Sequence, residues 1–292
     1  LFVVLCLLQP GNEMNPAYFS ATQDGTYNTT NVTMGMLLNN LISVDDLTTV
    51  LTIDFYWRLR WQDPRWNFPF LFEALNPQVF DQGIDITALV RNPSQNLNIW
   101  LPDISFFQTV DYEQIVEVIY VYPEGNFFWS RHVKMTFEQP QMVFKDYPLD
   151  VQNFSFVLQS YAYNQPLLTL TLYEDAVLFN YDGQQNKLYI EENQLWDYEA
   201  YTAYSEPQIV PNPSNPNEPW LFSTLYINLK FAREDLGIIY RLALPVTILL
   251  LIVGFSFWAD LESRVGTTMN VLLVVAALYI VIGGVIPFVG YL

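Results

Sequence analysis

The sequence predicts an immunoglobulin-like β-sandwich of about ten strands followed by transmembrane α-helices, that is, an all-β domain joined to a membrane helical bundle. Residues 26–231 consist of short apolar and aromatic runs broken by Asn, Asp, Pro and Gly, without a long segment of helical period. Two uncharged segments follow, residues 242–259 and 265–292. Each is long enough to cross a hydrocarbon core of about 30 Å. We therefore divide the chain into a β-domain at 26–236 and a membrane region at 237–292.

Charge separates the same two regions. The chain of 292 residues has 12 basic and 30 acidic side chains, a net charge of -18. Residues 237–292 contain two acidic and two basic residues, so the whole excess belongs to the preceding part. A strongly acidic domain repels nucleic acid and concentrates cations, although solubility alone explains such a charge equally well. We expect no nucleic-acid partner.

The first eight residues, Leu1 to Leu8, are apolar and too short to span a bilayer. Gln9, Pro10 and Gly11 follow, and the segment is similar to the end of a secretory signal peptide. Residues 1–11 are therefore predicted to be a signal-peptide remnant, with a buried N-terminal segment as the alternative. If the first prediction is right, the acidic domain is exported.

Nine strands are predicted from the apolar and aromatic runs of the β-domain. Turn signals separate them at Asp45-Asp46 and at Pro123–Asn126, and a loop rich in proline and asparagine is predicted at Pro207–Pro219. The predicted strands are Asn31–Ile42, Thr48–Trp61, Asp85–Val90, Gln114–Tyr122, Phe127–Phe137, Val151–Tyr163, Leu167–Tyr173, part of Lys187–Tyr204, and Phe222–Phe231.

Two membrane helices are predicted, the first at about 240–259 and the second at about 264–286, with a turn at Asp260–Arg264 between them. Pro245 is expected near the start of the first helix, where a proline is tolerated. The second helix carries a stripe of small, polar and apolar residues at spacings of three and four: Gly266, Asn270, Leu273, Ala277, Ile280 or Val281, and Gly284. Asn270 would be costly facing lipid. The stripe therefore indicates either a pore lining or a packing seam between helices.

Catalysis is a poor interpretation of this composition. The chain has one histidine and one cysteine, Cys6, so an intrachain disulfide is impossible within it. It lacks a Gly-rich phosphate loop, a metal-ligand cluster and a calcium-loop spacing of acidic residues. The sequence predicts that the protein is not an enzyme and uses no cofactor and no metal.

Three short motifs occur in a fixed order along the β-domain and give the chain its resemblance to a known family. They are Trp61-x-Asp63, Trp100-Leu-Pro102-Asp103, and Tyr147-Pro148-Leu-Asp150-Val-Gln152. With these motifs, an all-β domain joined to a pore-like helix that begins Arg-Val-Gly, the chain resembles the pentameric ligand-gated ion channels, or Cys-loop receptors. The resemblance is strongest to bacterial members, and it covers about residues 32–292.

The resemblance implies a homopentamer in a bacterial inner membrane, multi-pass, with the extracellular domain in the periplasm. The two cysteines that name the family would fall at Pro140 and Phe154, so their disulfide is not present. Family members have four membrane helices, and we expect the third and fourth to be absent from this chain.

In this family a small-molecule agonist binds in an aromatic box between neighbouring β-domains. The resemblance places Tyr56, Phe107, Tyr161 and either Trp220 or Phe222 in that box. Aromatic ring faces bind ammonium groups, so a small amine is one candidate agonist. Protons are the other, because some bacterial members respond to them, and His132 alone is a weak basis for a pH switch.

The resemblance also assigns the membrane region. Leu273 would be the hydrophobic gate, with Asn270 and Gly266 in the hydrated inner part of the pore, while helix packing is the alternative. Glu262 would favour permeant inorganic cations, unless it only pairs with Arg264 or Arg241 or is simply solvated. We expect cation selectivity.

Coupling between the two regions is expected at their junction. The resemblance places Arg233 against Asp150 and against Asp45 or Asp46, with Pro287 in the loop that this contact moves. A membrane-anchored β-sandwich that binds or adheres without conducting ions is the alternative function. It leaves the stripe and the ordered motifs unexplained.

Overall fold

The computed structural model describes residues 29–66, 83–91, 99–179, 196–233 and 236–283. Ten strands in these residues form two sheets, which confirms the predicted all-β domain. The strands are β1 Thr30–Asp45, β2 Val50–Gln62, β3 Ile84–Asp85, β4 Ile104–Phe106, β5 Thr109–Tyr122, β6 Asn126–Glu138, β7 Val151–Ser160, β8 Leu168–Phe179, β9 Trp196–Val210 and β10 Trp220–Arg233. The helices are α1 Thr87–Arg91, α2 Leu236–Ser256 and α3 Leu261–Gly283, with 3₁₀ turns at Pro64–Trp66 and Pro123–Gly125. The predicted signal-peptide remnant lies outside the described residues.

The two sheets pack face to face as a sandwich. One has six strands in the order β3-β5-β6-β2-β1-β8, and the other has four in the order β4-β7-β10-β9. Only β1 and β8 pair in parallel among the described strands. Strand β8 also contacts β9 and β10, so these strands meet at one side of the sandwich. The first half of β5 lies at the other side, because the two-residue β3 pairs only with its end.

Aromatic side chains fill the space between the sheets. Phe55 and Phe137 from the six-stranded sheet contact Phe106 from the four-stranded sheet, with ring centres 5.7 and 5.3 Å apart. Phe156 on β7 meets Phe137 edge to face at 4.8 Å. Burial alternates along β2, so that Tyr56 points to the opposite face from Phe55. The core therefore fixes which side chains of β2 remain available on the outer surface.

The predicted strand at Asp85–Val90 is wrong. Only Ile84 and Asp85 are extended, and helix α1 follows directly. The carboxylate of Asp85 accepts hydrogen bonds from the backbone N–H of Thr87 (2.9 Å) and from its hydroxyl (2.6 Å), as a helix-capping residue does. The sequence prediction also missed the three-residue strand β4.

The predicted loop at Pro207–Pro219 is too long at its start. Strand β9 continues to Val210, and Pro207 pairs with Ser223 of β10 inside the sheet. Because β9 is the edge strand, a residue without an N–H donor is tolerated there. The connection between β9 and β10 is residues 211–219.

The membrane region also differs from the prediction at its boundaries. Helix α2 begins at Leu236, so Pro245 lies in its interior rather than near its start, where it removes a backbone hydrogen bond. Helix α3 begins at Leu261, so Glu262 lies in its first turn, where an acidic side chain is favourable. The predicted turn at Asp260–Arg264 is therefore shifted to residues 257–260.

Among the described helices, Leu261–Val281 is the one long and apolar enough to cross a membrane, and the apolar part of α2, Ala243–Ser256, is shorter.

Candidate functional site

A buried arginine joins the β-domain to the membrane region. Arg233 is the last residue of β10 and is 5% exposed. Its Nε donates to Asp150 Oδ1 at 2.8 Å, and its two terminal nitrogens donate to the two carboxylate oxygens of Asp46 at 2.7 Å each. Its backbone N–H donates to the Asp150 carbonyl at 2.9 Å. One side chain thus holds the β1–β2 turn and the loop before β7 against the end of β10.

Aromatic rings enclose the same guanidinium. Its central carbon lies 4.1 Å from the ring centre of Trp196 and 4.9 Å from that of Tyr147. Burial lowers the pKa of Arg233, but the hydrogen bonds and negative charges of Asp46 and Asp150 outweigh it, so the pKa is raised overall. Arg233 therefore stays positively charged between these two side chains.

Asp45, the alternative partner proposed from the sequence, does not reach the arginine. Its carboxylate accepts hydrogen bonds from the backbone N–H of Leu47 (3.0 Å) and the hydroxyl of Thr48 (2.6 Å). The bond from Thr48 is the main reason that the pKa of Asp45 lies below its usual value. Asp45 shapes the turn and Asp46 makes the contact. Pro287 lies outside the described residues.

The loop between β6 and β7 is closed by side-chain amides where the family would have a disulfide. Gln139 donates to the carbonyl of Ser155 and accepts from its backbone N–H, both at 3.0 Å. These residues stand next to Pro140 and Phe154. Gln152 makes a second reciprocal pair with the backbone of Val143, at 2.8 and 3.0 Å. Two polar clasps therefore close the loop.

Gln152 also donates to Asp150 Oδ2. The clasped loop is thus connected directly to the carboxylate that pairs with Arg233.

The aspartates of the two tryptophan motifs hold loops in place. The Asp63 carboxylate is fully buried and binds the Arg65 guanidinium, while its backbone N–H donates to the Gly125 carbonyl at 2.8 Å. Asp103 accepts from the Ser160 hydroxyl at 2.6 Å and from the Ala162 N–H at 2.7 Å. The second clamp orders the residues on both sides of Tyr161.

The predicted agonist residues lie on different sheets. Tyr56 is on the outer face of the six-stranded sheet, and Phe107 and Tyr161 follow strands of the four-stranded sheet. Tyr161 is 85% exposed and Phe107 is also exposed. Phe107 follows the last residue of β4 and lies opposite Val157 of β7. Tyr161 follows Ser160, the last residue of β7, and is about 13 Å from Val157 along that strand.

Trp220 is exposed (38%), whereas Phe222 is buried, so Trp220 is the more accessible of the two alternatives. One chain does not bring these aromatics together.

A pair that sequence reasoning had set aside lies beside Tyr56. His132 stacks on the Tyr56 ring with centres 4.4 Å apart, and its Nε2 lies 2.6 Å from Asp54 Oδ1. Strand register brings them together, because His132 pairs directly with Tyr56 across β2 and β6. The two residues are 76 positions apart, and no local motif indicates this pairing.

A second cluster was missed near α1. Glu117 binds the Arg91 guanidinium in a bidentate pair and accepts from the Trp129 indole at 3.2 Å. The hydrogen bond from Arg91 is the main reason that the pKa of Glu117 is lowered. Arg131 lies 3.6 and 3.9 Å from the ring centres of Trp57 and Trp129, and burial lowers its pKa to about 10.

The stripe on α3 faces away from α2. Partly covered side chains on α3 recur at Arg264, Thr267, Val271 and Leu278, which marks the side that packs on α2. At about 100° per residue, Gly266, Leu273, Ala277 and Ile280 lie more than about 100° from the centre of that side, whereas Asn270 lies about 90° from it, at the margin; all five are exposed. Val281 is exposed but lies to one side of this line, and Gly284 lies outside the described residues.

Comparison with known proteins identifies the family of the β-domain. Residues 15–234, more than half of the chain, match the family model of the neurotransmitter-gated ion-channel ligand binding domain. The human gamma-aminobutyric acid receptor subunit rho-3 is 26% identical over 267 residues, which are 87% of this chain and 51% of that protein. The bovine rho-2 subunit is 24% identical over 265 residues, with the same two shares, and the human rho-1 subunit is 23% identical over 265 residues, 87% and 50%.

The chain spans about half the length of the curated relatives it matches. The matched segment includes all ten strands and ends one residue after Arg233. The chain therefore belongs to the neurotransmitter-gated ion-channel ligand-binding domain family of the Cys-loop receptors.

Proposed function

We propose that the protein is a bacterial-type subunit of a homopentameric ligand-gated ion channel that conducts cations across the inner membrane, with its β-domain in the periplasm. The observation that carries the proposal is the Arg233 junction. A buried arginine between two loops and the helix that follows is a better switch than a stabiliser, because moving either loop leaves a charge unpaired. Ligand-driven movement of the β-domain would reach α2 and α3 through it.

Exposed apolar side chains on two sides of the sandwich support a closed ring. Val110, Ile115 and Val116 are exposed along the first half of β5, where no described strand pairs with its outer edge. Ile209 and Leu221 are exposed on β9 and β10, at the other side. Two different patches that meet head to tail generate a ring when the rotation closes. In such a ring, residues of the six-stranded sheet of one subunit can approach loops of the next.

The agonist site is proposed at that contact, with Tyr56 from one subunit and Phe107, Tyr161 and Trp220 from its neighbour. The ammonium group of an amine would bind on the ring faces. Gamma-aminobutyric acid, which appears in the names of the relatives, carries such a group and is the first compound to test. Protons are the second candidate stimulus.

Planar-bilayer recordings of the protein test this proposal. We expect currents that appear with gamma-aminobutyric acid, with another small amine, or on acidification. For an amine response, Tyr161→Ala should abolish it and Tyr161→Phe should retain most of it, because the side chain is exposed and its loss does not disturb the core. A protein that assembles but stays silent to every stimulus would support the membrane-anchored binding protein instead.

Selectivity rests on Glu262 in the first turn of α3. A ring of carboxylates at this position would attract cations. In asymmetric salt we expect the reversal potential to lie near the equilibrium potential of the cation. In Glu262→Gln it should move toward zero, and in the control variant Ser263→Ala it should stay as in the wild type. An anion-permeable wild type, or an unchanged reversal potential in Glu262→Gln, contradicts the assignment. Native mass spectrometry in detergent should give five copies.

A further inference from the structure

A cavity of about 650 Å³ opens on the outer face of the six-stranded sheet, at the end far from Arg233. The first residues of β1 and β6 and the last residues of β2 and β5 form its walls. The turn that carries Asp46 lies at the opposite end of β1 and β2. The volume is within the range of small-molecule sites, which is about 300–1,000 Å³.

Arg60 supplies the only positive charge among the described side chains that line this cavity, and none of those side chains is acidic. Its guanidinium carbon lies 5.2 Å from the ring centres of both Phe128 and Tyr173. Within the described part of the chain, Arg60 forms no ion pair. Arg60 is exposed, so an anion can reach its guanidinium directly from solvent.

The backbone is adapted to hold one of these rings. A Cβ atom on Gly35 would come within 2.1 Å of the Tyr173 ring, so the glycine allows Tyr173 to lie directly over β1. Burial raises the pKa of Tyr173 to about 12, which keeps the phenol neutral beside the arginine. The tyrosine therefore stacks on the guanidinium without neutralising it.

We propose that this cavity is a second binding site, for a small organic carboxylate. Ring contacts leave the edge of the Arg60 guanidinium free to donate two parallel hydrogen bonds to a carboxylate. The rings of Phe128 and Tyr122 would receive the apolar body of the ligand, and the amide groups of Asn31 and Gln62 add polar contacts at the rim. Arg60 lies four residues along β2 from Tyr56, about 13 Å, so the site is separate from the proposed agonist site.

Isothermal titration calorimetry on the full chain in detergent micelles tests the proposal with benzoate and its neutral isostere benzamide. We expect benzoate to bind at least about tenfold more tightly than benzamide, because charge-assisted hydrogen bonds require the carboxylate. Arg60→Gln should lower the affinity for benzoate by at least about tenfold. Lys230→Gln removes one positive charge from the exposed surface of β10 and should leave benzoate binding unchanged.

Two further variants keep the test decisive if Arg60→Gln does not fold. Arg60→Lys keeps the positive charge but loses the planar guanidinium. Gly35→Ala keeps Arg60 but displaces the Tyr173 ring. Both variants should bind benzoate severalfold more weakly than the wild type. The proposal is overturned if the wild type does not bind benzoate, if benzamide binds as tightly, or if the folded Arg60 and Gly35 variants bind like the wild type. Because the readout is binding and not current, these outcomes are independent of channel activity.

Discussion

The Arg233–Asp150 pair makes a quantitative prediction about stability. The two side chains are 3% and 2% exposed. In Arg233→Met the carboxylate of Asp150 stays buried without its partner, and breaking a buried pair in this way costs about 3–5 kcal/mol. The Asp46 carboxylate is more exposed and is hydrated once the arginine is removed, so the loss of this second pair adds little to the cost. We expect Arg233→Met to lower the free energy of unfolding by about 3–4 kcal/mol.

Asp150→Asn should cost less, about 1.5–3 kcal/mol, because Arg233 keeps both hydrogen bonds to Asp46. In the double variant the two losses overlap. Its free energy of unfolding should therefore exceed the additive expectation by about 1.5–3 kcal/mol.

Guanidinium denaturation of the protein in detergent, followed by tryptophan fluorescence, measures this cycle. Trp196 is a local reporter, since its ring centre lies 4.1 Å from the Arg233 guanidinium carbon. The control cycle uses Lys230 of β10 and Glu199 of the neighbouring strand β9, an ion pair with both side chains exposed, whose coupling should be below about 1 kcal/mol. If the Arg233 and Asp150 losses add within about 0.5 kcal/mol, the pair is not a coupled buried unit and the reasoning fails.

Three further predictions concern the β-domain, each read from unfolding curves. Gln139→Leu removes both hydrogen bonds to Ser155 and should destabilise by about 2–3 kcal/mol, whereas Gln139→Glu buries an unpaired carboxylate against the Ser155 carbonyl oxygen and should cost more; equal stability of the two variants contradicts this. Gly125→Ala should cost at least about 2 kcal/mol, since φ is +71° and the new Cβ would lie 2.1 Å from the Asp63 carbonyl oxygen; an unchanged midpoint contradicts this. The pKa of Glu117 is lower in the folded protein than its unfolded value of about 4.3, so the pair with Arg91 contributes stability above that pH. This contribution is lost as pH falls through the lower folded pKa, so the difference in stability from Glu117→Gln should shrink on acidification below about pH 5; a difference that does not change with pH contradicts this.

Strand positions were predictable where packing dictates them. Along β2 a buried residue alternates with a partly exposed one, and aromatic and β-branched side chains mark the buried face. The strand predicted at 85–90 was wrong although its composition is similar. The Asp85 carboxylate binds the N–H of Thr87 at the start of a helix turn, and this local polar contact outweighs the strand preference of Val90. Strand β4 was missed since three residues give no periodicity.

The partners of Arg233 show where sequence reasoning stops. Asp45 and Asp46 are adjacent and chemically equivalent, so composition cannot choose between them. The turn decides: Asp45 is used by the N–H of Leu47 and the hydroxyl of Thr48, and Asp46 is left for Arg233. The pairing of His132 with Tyr56 was equally inaccessible, because it depends on the register of β2 against β6.

The position of the stripe on α3 is evidence about its role that does not depend on the family match. Helix α2 covers one side of α3, and the uncovered side carries Asn270 at its margin, next to small and apolar residues. An asparagine facing lipid is costly, so this side must meet protein or water. Among the described residues nothing covers Asn270, and copies of α3 around an axis would supply both protein and water. Asn270→Leu therefore separates the two interpretations: a packing seam should keep its oligomer with stability little changed, whereas a pore should lose conductance while keeping five subunits.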